Sequence, residues 1–243
     1  LNDTTVVNGT TVMDFSHCNA IQWDYDNNVV YLNSRCLNAF YKINMTTGDI
    51  IWTCGLNGNF TLLDANGNKV TSLWYHSRAL QQIKPDVFTM FDKDYDNLTN
   101  PSDAHSRLLE VTLDEQNMIA RESWSWEAPQ EYWSYFWGEA DTLPNEDRIG
   151  TFGTYVKPYS NLGAVLVEVN QTGQVVRTWT FPSGWGIYRA IPIEAPVTGQ
   201  NSNSGGFNAA LVAVAVIAVA ATSVICAVAL RAKKRPRSKA SDT

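Results

Sequence analysis

The chain has 243 residues, 44% of them hydrophobic and 12% aromatic, and a formal net charge of −6. Six of its 18 Lys/Arg but only one of its 24 Asp/Glu lie after residue 230, so the portion ahead of that point carries −11. A surface that acidic has no electrostatic reason to bind nucleic acid. No HExxH, CxxC, GxxxxGK or GxGxxG segment is present, so zinc catalysis and nucleotide binding by those routes have no support.

Residues 1–13 form an N-terminal segment with no charged-then-apolar leader, and Leu1 is not an initiator. Since the topology argued below demands export, further sequence upstream is expected. From Asp14 to Ile193, short runs rich in β-branched and aromatic residues alternate with turn signals, the pattern of strands. Val29 to Leu32, Ala39 to Ile43 and Ile50 to Thr53 are such runs, punctuated by Asp26-Asn27-Asn28 and Thr47-Gly48-Asp49. No long segment of helical period appears before residue 209, so this region is predicted to be all-β.

A loose repeat runs through it. Phe40 to Ile43 and Ile50 to Trp52 flank the first hairpin turn, Leu109 to Val111 and Met118 to Trp126 the second, Leu166 to Val169 and Val175 to Trp179 the third. Ile43 to Val111 is 68 residues and Val111 to Val169 is 58, a period that suits propeller blades with long loops better than a sandwich. About three blades are present, whereas propellers close with about four to eight. Residues 194–208, rich in Gly, Asn and Ser, read as a flexible stalk.

Residues 209–230 are Ala, Val, Ile and Leu relieved only by Thr222, Ser223 and Cys226, long enough as a helix to cross a hydrocarbon core of roughly 30 Å. Arg231, Lys233, Lys234, Arg235, Arg237 and Lys239 follow at once, which places residues 231–243 in the cytosol, against anionic headgroups. A single-pass membrane protein with an extracellular or lumenal ectodomain is expected. Asn2, Asn8, Asn44, Asn59, Asn97 and Asn170 each open an Asn-x-Thr sequon, all on the exported side. Cys18, Cys36 and Cys54 share that compartment, where one disulfide can form and one thiol is left over.

Three histidines bound the search for chemistry. His17 and Asn19, two apart in an extended segment, would face the same side; Arg35 ends the next strand, and His76 opens the second blade. Together they suit an anionic group, with Arg35 offering a forked set of donors. Taken singly, each is equally a satisfied polar residue at a sheet edge. His105, beside Pro101-Ser102-Asp103, reads as a loop residue.

Asp14-Phe15-Ser16-His17-Cys18-Asn19, then Ser34-Arg35, Tyr41-Lys42-Ile43, Thr47-Gly48, Ile50-Ile51-Trp52 and Gly55, resemble the arylsulfotransferase family. His76 ahead of Phe88 to Asp92, Ser106-Arg107, Leu113-Asp114-Glu115 and Tyr188-Arg189-Ala190 extend the likeness over roughly residues 14–193. The resemblance implies the C-terminal half of a six-bladed propeller that moves a sulfuryl group from a phenolic sulfate ester to a phenol. It uses a sulfated histidine and neither a nucleotide donor nor a cofactor or metal. It makes His76 the nucleophile and His17, Asn19 and Arg35 the groups that hold the sulfuryl oxygens. Trp74 and Tyr75 are candidates to stack on the phenol. Tyr75 stands where the family has Gln, Phe15 where it has Trp, and Lys93-Asp94 where it has Asn-Gly; a further family histidine belongs to an earlier blade. Because Cys18 and Cys36 directly follow His17 and Arg35 on adjacent strands of one blade, a Cys18–Cys36 bridge is expected, with Cys36–Cys54 the alternative. The rival functional readings are a non-catalytic cell-surface propeller that binds a ligand or protein, and a structural glycoprotein head.

Overall fold

The computed structural model describes residues 4–94, 104–134, 136–153, 163–193 and, for the backbone alone, 213–218. The described residues are all-β apart from one turn of 3₁₀ helix at Gln130–Tyr132. A hairpin of β1 (Thr4–Val7) and β2 (Thr10–Met13) turns at Asn8-Gly9, both with positive φ. Three antiparallel sets of four consecutive strands follow, the first and third as four-stranded sheets and the second within a six-stranded one. The first contains β3 (Cys18–Asp24), β4 (Val29–Ser34), β5 (Ala39–Asn44) and β6 (Ile50–Gly55). Two short strands, β7 (Thr61–Leu63) and β8 (Lys69–Val70), lead out of it. The second contains β9 (Arg78–Lys84), β10 (Val87–Asp92), β11 (Arg107–Asp114) and β12 (Ile119–Glu127). The third contains β13 (Glu139–Thr142), β14 (Arg148–Phe152), β15 (Val165–Val169) and β16 (Val175–Thr180). A last pair joins β17 (Ile187–Ile193) to β18 (Ala213–Ala218).

The expected hairpins are β5–β6, β11–β12 and β15–β16, so the repeat in the sequence is the outer half of each sheet. The sheets stack face to face because their middle strands are apolar on both sides. Leu109 and Val111 of β11 join Phe40, Trp52, Trp74 and Phe88 between the first and second sheets. Leu108, one residue away and therefore on the opposite face, packs with Phe91, Phe152, Val165 and Val167 between the second and third. Leu166 likewise turns toward Ile149 and Ile187. Parallel pairing of β7 with β12 ties the exit of the first sheet to the outer edge of the second. The first strands of successive sheets, β3, β9, β13 and β17, touch in that order. The site sits along this line of strands.

Two expectations meet a different structure. Residues 213–218 lie within the stretch expected as a membrane helix, yet they pair as a strand with β17. Val214, Val216 and Ile217 are β-branched, and an apolar run satisfies an open strand edge as well as it forms a helix. Among the described residues no helix is long and apolar enough to cross a membrane; residues 219–230 and the basic tail lie outside them. The expected Cys18–Cys36 disulfide is not formed. The register sets Cys18 against Ser34, while Cys36 donates its amide to the Ser16 carbonyl, so the two cysteines are offset rather than opposed. Cys54, the alternative partner, is fully buried and makes no bridge, and burial pushes its thiol pKa well up.

Candidate active site

Backbone geometry at the start of β3 and β9 is unusual in the same way. His17 and His76 both adopt positive φ, at 44° and 57°, a conformation that ordinary side chains enter only when the surroundings hold it. His17 is held by the Arg35 amide, which donates to its carbonyl at 3.2 Å. His76 is held by Asn38, whose Oδ1 accepts the His76 amide at 2.8 Å. Asn38 itself lies in the β4–β5 turn with φ of 49°. The expected simple alternation of His17 and Asn19 is therefore replaced by a tight turn and a bulge between Cys18 and Ala20. Both side chains nonetheless reach one cavity wall.

A small amide network locks the two sheets together there. Asn19 Nδ2 donates to the Ser77 carbonyl at 2.9 Å, and Asn33 Nδ2 donates to the Asn19 Oδ1 at 2.7 Å and to the same Ser77 carbonyl at 2.9 Å. Ser77 Oγ returns a bond to the Asn33 Oδ1 at 3.1 Å. One Asn19 amide proton has no acceptor among the described residues, since Ser77 takes the other.

His76 is buried beside a carboxylate. Its Nδ1 lies 2.5 Å from Asp94 Oδ2, and the two side chains are 5% and 8% exposed. Burial opposes the charge on Asp94. Hydrogen bonds from His76 and Trp133 and the Lys93 ammonium outweigh it and hold the carboxyl below its ordinary range. An ionised Asp94 draws the ring proton to Nδ1 and leaves the Nε2 lone pair for attack. His17 also pairs through Nδ1, with Asp14, but it is far more exposed, at 38% of its side chain. Asp14, His17 and Cys36 each place a potential metal-binding atom within 4.8 Å of the others. Arg35 Nη1, 3.5 Å from Cys36 Sγ, sets a cation against any dication there.

The cavity along the first strands measures about 730 Å³ and is lined by His17, Asn19, Arg78, Phe136, Trp137 and Tyr188, with Arg189 beside them. His76 and Arg35 stand behind this wall, each buried. Trp74 is fully buried against Phe40 and cannot stack on a ligand; the accessible aromatics are instead Phe136, Trp137 and Tyr188, the last two 6.1 Å apart edge to face. Below Asn19 and Arg78, Glu139 accepts from Arg189 Nε at 2.8 Å, and burial together with the neighbouring Asp141 pushes its pKa up to about 7. Gln81 Nε2 donates to Asp141 at 2.7 Å.

The sequence pointed to His17, Asn19, Arg35 and His76. It missed Asp94, Arg78, Glu139 and the Phe136-Trp137 pair, none of which belongs to a short motif. Asp94 sits where the resemblance was weakest, and Tyr188-Arg189 had been noted only as a match. His105 is a loop residue as expected, near Glu127.

The described residues are all-β and bring arginines, an asparagine and aromatic side chains to one cavity, with a buried histidine paired to a carboxylate. The chain belongs to the arylsulfotransferase (ASST) family, whose model matches residues 2–189. No curated protein matches it.

Proposed function

We propose that this chain carries the sulfuryl-transfer half of an arylsulfotransferase propeller, its three sheets being consecutive blades of a six-bladed ring. The observation that carries the reading is the His76–Asp94 pair, buried beside a cavity lined by both arginines and aromatic rings. In the first step His76 Nε2 attacks the sulfur of an aryl sulfate. An N–S bond forms, the S–O bond to the ring breaks, and the phenolate leaves. The imidazole gains positive charge, which Asp94 balances through the Nδ1 proton. In the second step a phenol oxygen attacks that sulfur, the N–S bond returns its electrons to Nε2, and the phenolic proton passes to water. Arg35 and Asn19 donate to sulfuryl oxygens whose charge shifts during each step. Phe136, Trp137 and Tyr188 stack on the aryl group.

The test is turnover of a chromogenic aryl sulfate with a phenol acceptor by the full-length protein. His76→Asn should abolish release of the chromophore. Near-normal turnover by that variant would move the nucleophile to His17. A second reading, a propeller that binds aromatic anions without transforming them, is favoured by one observation. The His76 ring is 5% exposed and does not line the cavity. Wild-type protein that binds the aryl sulfate but releases no phenol with any acceptor would establish it.

We further propose that residues 209–230 anchor the protein by one membrane crossing, with the described sheets outside the cytosol. The uncharged run and the basic flank support this, and it excludes the β17–β18 pairing. Glycosylation of the sequons follows from that topology. Asn8 and Asn59 are exposed, while Asn44 and Asn170 are half-buried with their Oδ1 atoms holding tight turns. Asn2 and Asn97 lie outside the described residues. A glycosidase shift in apparent mass, smaller when Asn8 and Asn59 are both replaced by Gln, tests the two most accessible of the described sites.

A further inference from the structure

We propose that Arg78 is a second sulfuryl-binding arginine, its guanidinium closing on the anionic oxygens of the aryl sulfate from the side opposite Asn19. The proposal rests on the reading of the site given above. Arg78 is the first residue of β9, and its backbone position is fixed because the preceding carbonyl, that of Ser77, accepts from both Asn19 and Asn33. Its side chain lines the large cavity and also a small recess shared with Asn19, Trp137, Glu139 and Tyr188.

Arg78 Nε is buried without a hydrogen-bond partner. No carboxylate lies within ion-pair distance of Arg78 among the described residues. The two nearest candidates are committed elsewhere: Asp94 to His76 and Trp133, Glu139 to Arg189 and Gln81. Burial, and after it repulsion from the Arg35 cation, lower the Arg78 pKa to about 10 against the weaker pull of Tyr188, Asp94 and Cys36. A half-buried guanidinium whose buried Nε has no acceptor, set beside a like charge, is unfavourable by itself. A tetrahedral oxyanion placed between Arg35, Arg78 and the idle Asn19 amide proton would accept from all three. It would also turn the repulsion into shared attraction. A hydroxyl or amide ligand would bring no charge to the Arg78 guanidinium, so the site selects for an anion.

The experiment is binding of inorganic sulfate and of 4-nitrophenyl sulfate to the full-length protein, by calorimetry and by the rise in unfolding temperature. Wild type is compared with Arg78→Gln and Arg78→Lys. Charge-assisted hydrogen bonds of this kind correspond to a roughly 10–100-fold loss of affinity for both ligands in Arg78→Gln. Arg78→Lys should recover part of that loss, because it keeps the charge but not the fork. Without ligand, Arg78→Gln should unfold at least as high as wild type, since a buried like-charge repulsion is gone, and sulfate should no longer stabilise it. Undiminished sulfate binding by Arg78→Gln overturns the proposal. Should that variant fail to fold, undiminished binding by Arg78→Lys does so instead. Wild type that binds neither ligand also overturns it. If wild type binds sulfate through Arg78 but never transfers a sulfuryl group, the transfer reading falls and the arginine assignment stands.

Discussion

At His76 the backbone is strained, the side chain is buried and the ring is paired, and each of these has a separate cause. Asn38 holds the left-handed backbone, packing leaves the ring 5% exposed, and Asp94 fixes its tautomer. Asp94→Asn should therefore preserve the shape while losing the charge that balances the sulfated imidazolium. Turnover should fall far more than aryl sulfate affinity, a split read from steady-state constants. Equal losses in both would mean that Asp94 acts only by packing. Arg35→Ala removes charge stabilisation and should lower the turnover rate by about 10²–10³. Glu139 makes a different prediction. Its pKa is raised from 4.5 to about 7, so the folded protein holds a proton through that window which the unfolded chain has released. Stability should therefore decline as pH rises from about 4.5 to about 7, by an amount on the order of 3 kcal/mol from this residue. Denaturant unfolding of Glu139→Gln should show a flatter decline over the same range than wild type; an identical slope would contradict the assignment. His76, His17, Asn19 and Arg35 could be picked out as candidates in the sequence because each sits in a short motif. Asp94 and Arg78 were not, because their meaning depends on where the second sheet places them beside the first.

At the scale of elements, the strands and hairpins were legible from β-branched runs and turn residues, since local pattern and tertiary burial agree there. Left-handed residues were not. His17, His76 and Ala79 have φ of 44°, 57° and 53°, imposed by contacts that are distant in sequence. Gly55 is the exception, because a motif glycine is found at a position that needs one. Its φ is 124°, and a Cβ there would lie 2.3 Å from the Asn38 carbonyl oxygen and 3.0 Å from the Trp74 ring. Gly55→Ala should thus disturb the very turn that holds His76, at a cost of roughly 1–3 kcal/mol. Urea unfolding would show it, and an unchanged midpoint would mean that the turn tolerates the shift. The failed Cys18–Cys36 bridge has the same lesson: neighbouring strands were read correctly, but a bulge at the start of β3 sets the offset, and no sequence pattern announced it.

At the scale of the whole molecule, apolar side chains are exposed at both ends of the described sheets. Ile21, Trp23 and Tyr25 of the first sheet are 72%, 48% and 74% exposed, and Tyr188, Ile191 and Ile193 of β17 are about half exposed. In the proposed ring these bare faces would meet neighbouring blades, so residues 1–193 expressed alone should self-associate. A monodisperse monomer with one cooperative unfolding transition would contradict the ring. The C-terminal run separates two further states. Resistance to alkaline extraction from membranes would favour a helix over 209–230, while release would favour the strand at 213–218.

The account turns on a covalent bond between sulfur and one nitrogen. The direct measurement is to incubate the full-length protein with a sulfur-labelled aryl sulfate in the absence of any phenol, quench it, and map the label by peptide mass spectrometry. The account predicts a single label on His76, lost when a phenol is added and absent from His76→Asn. Label on His17, or no protein-bound label while phenol is being sulfated, would contradict it.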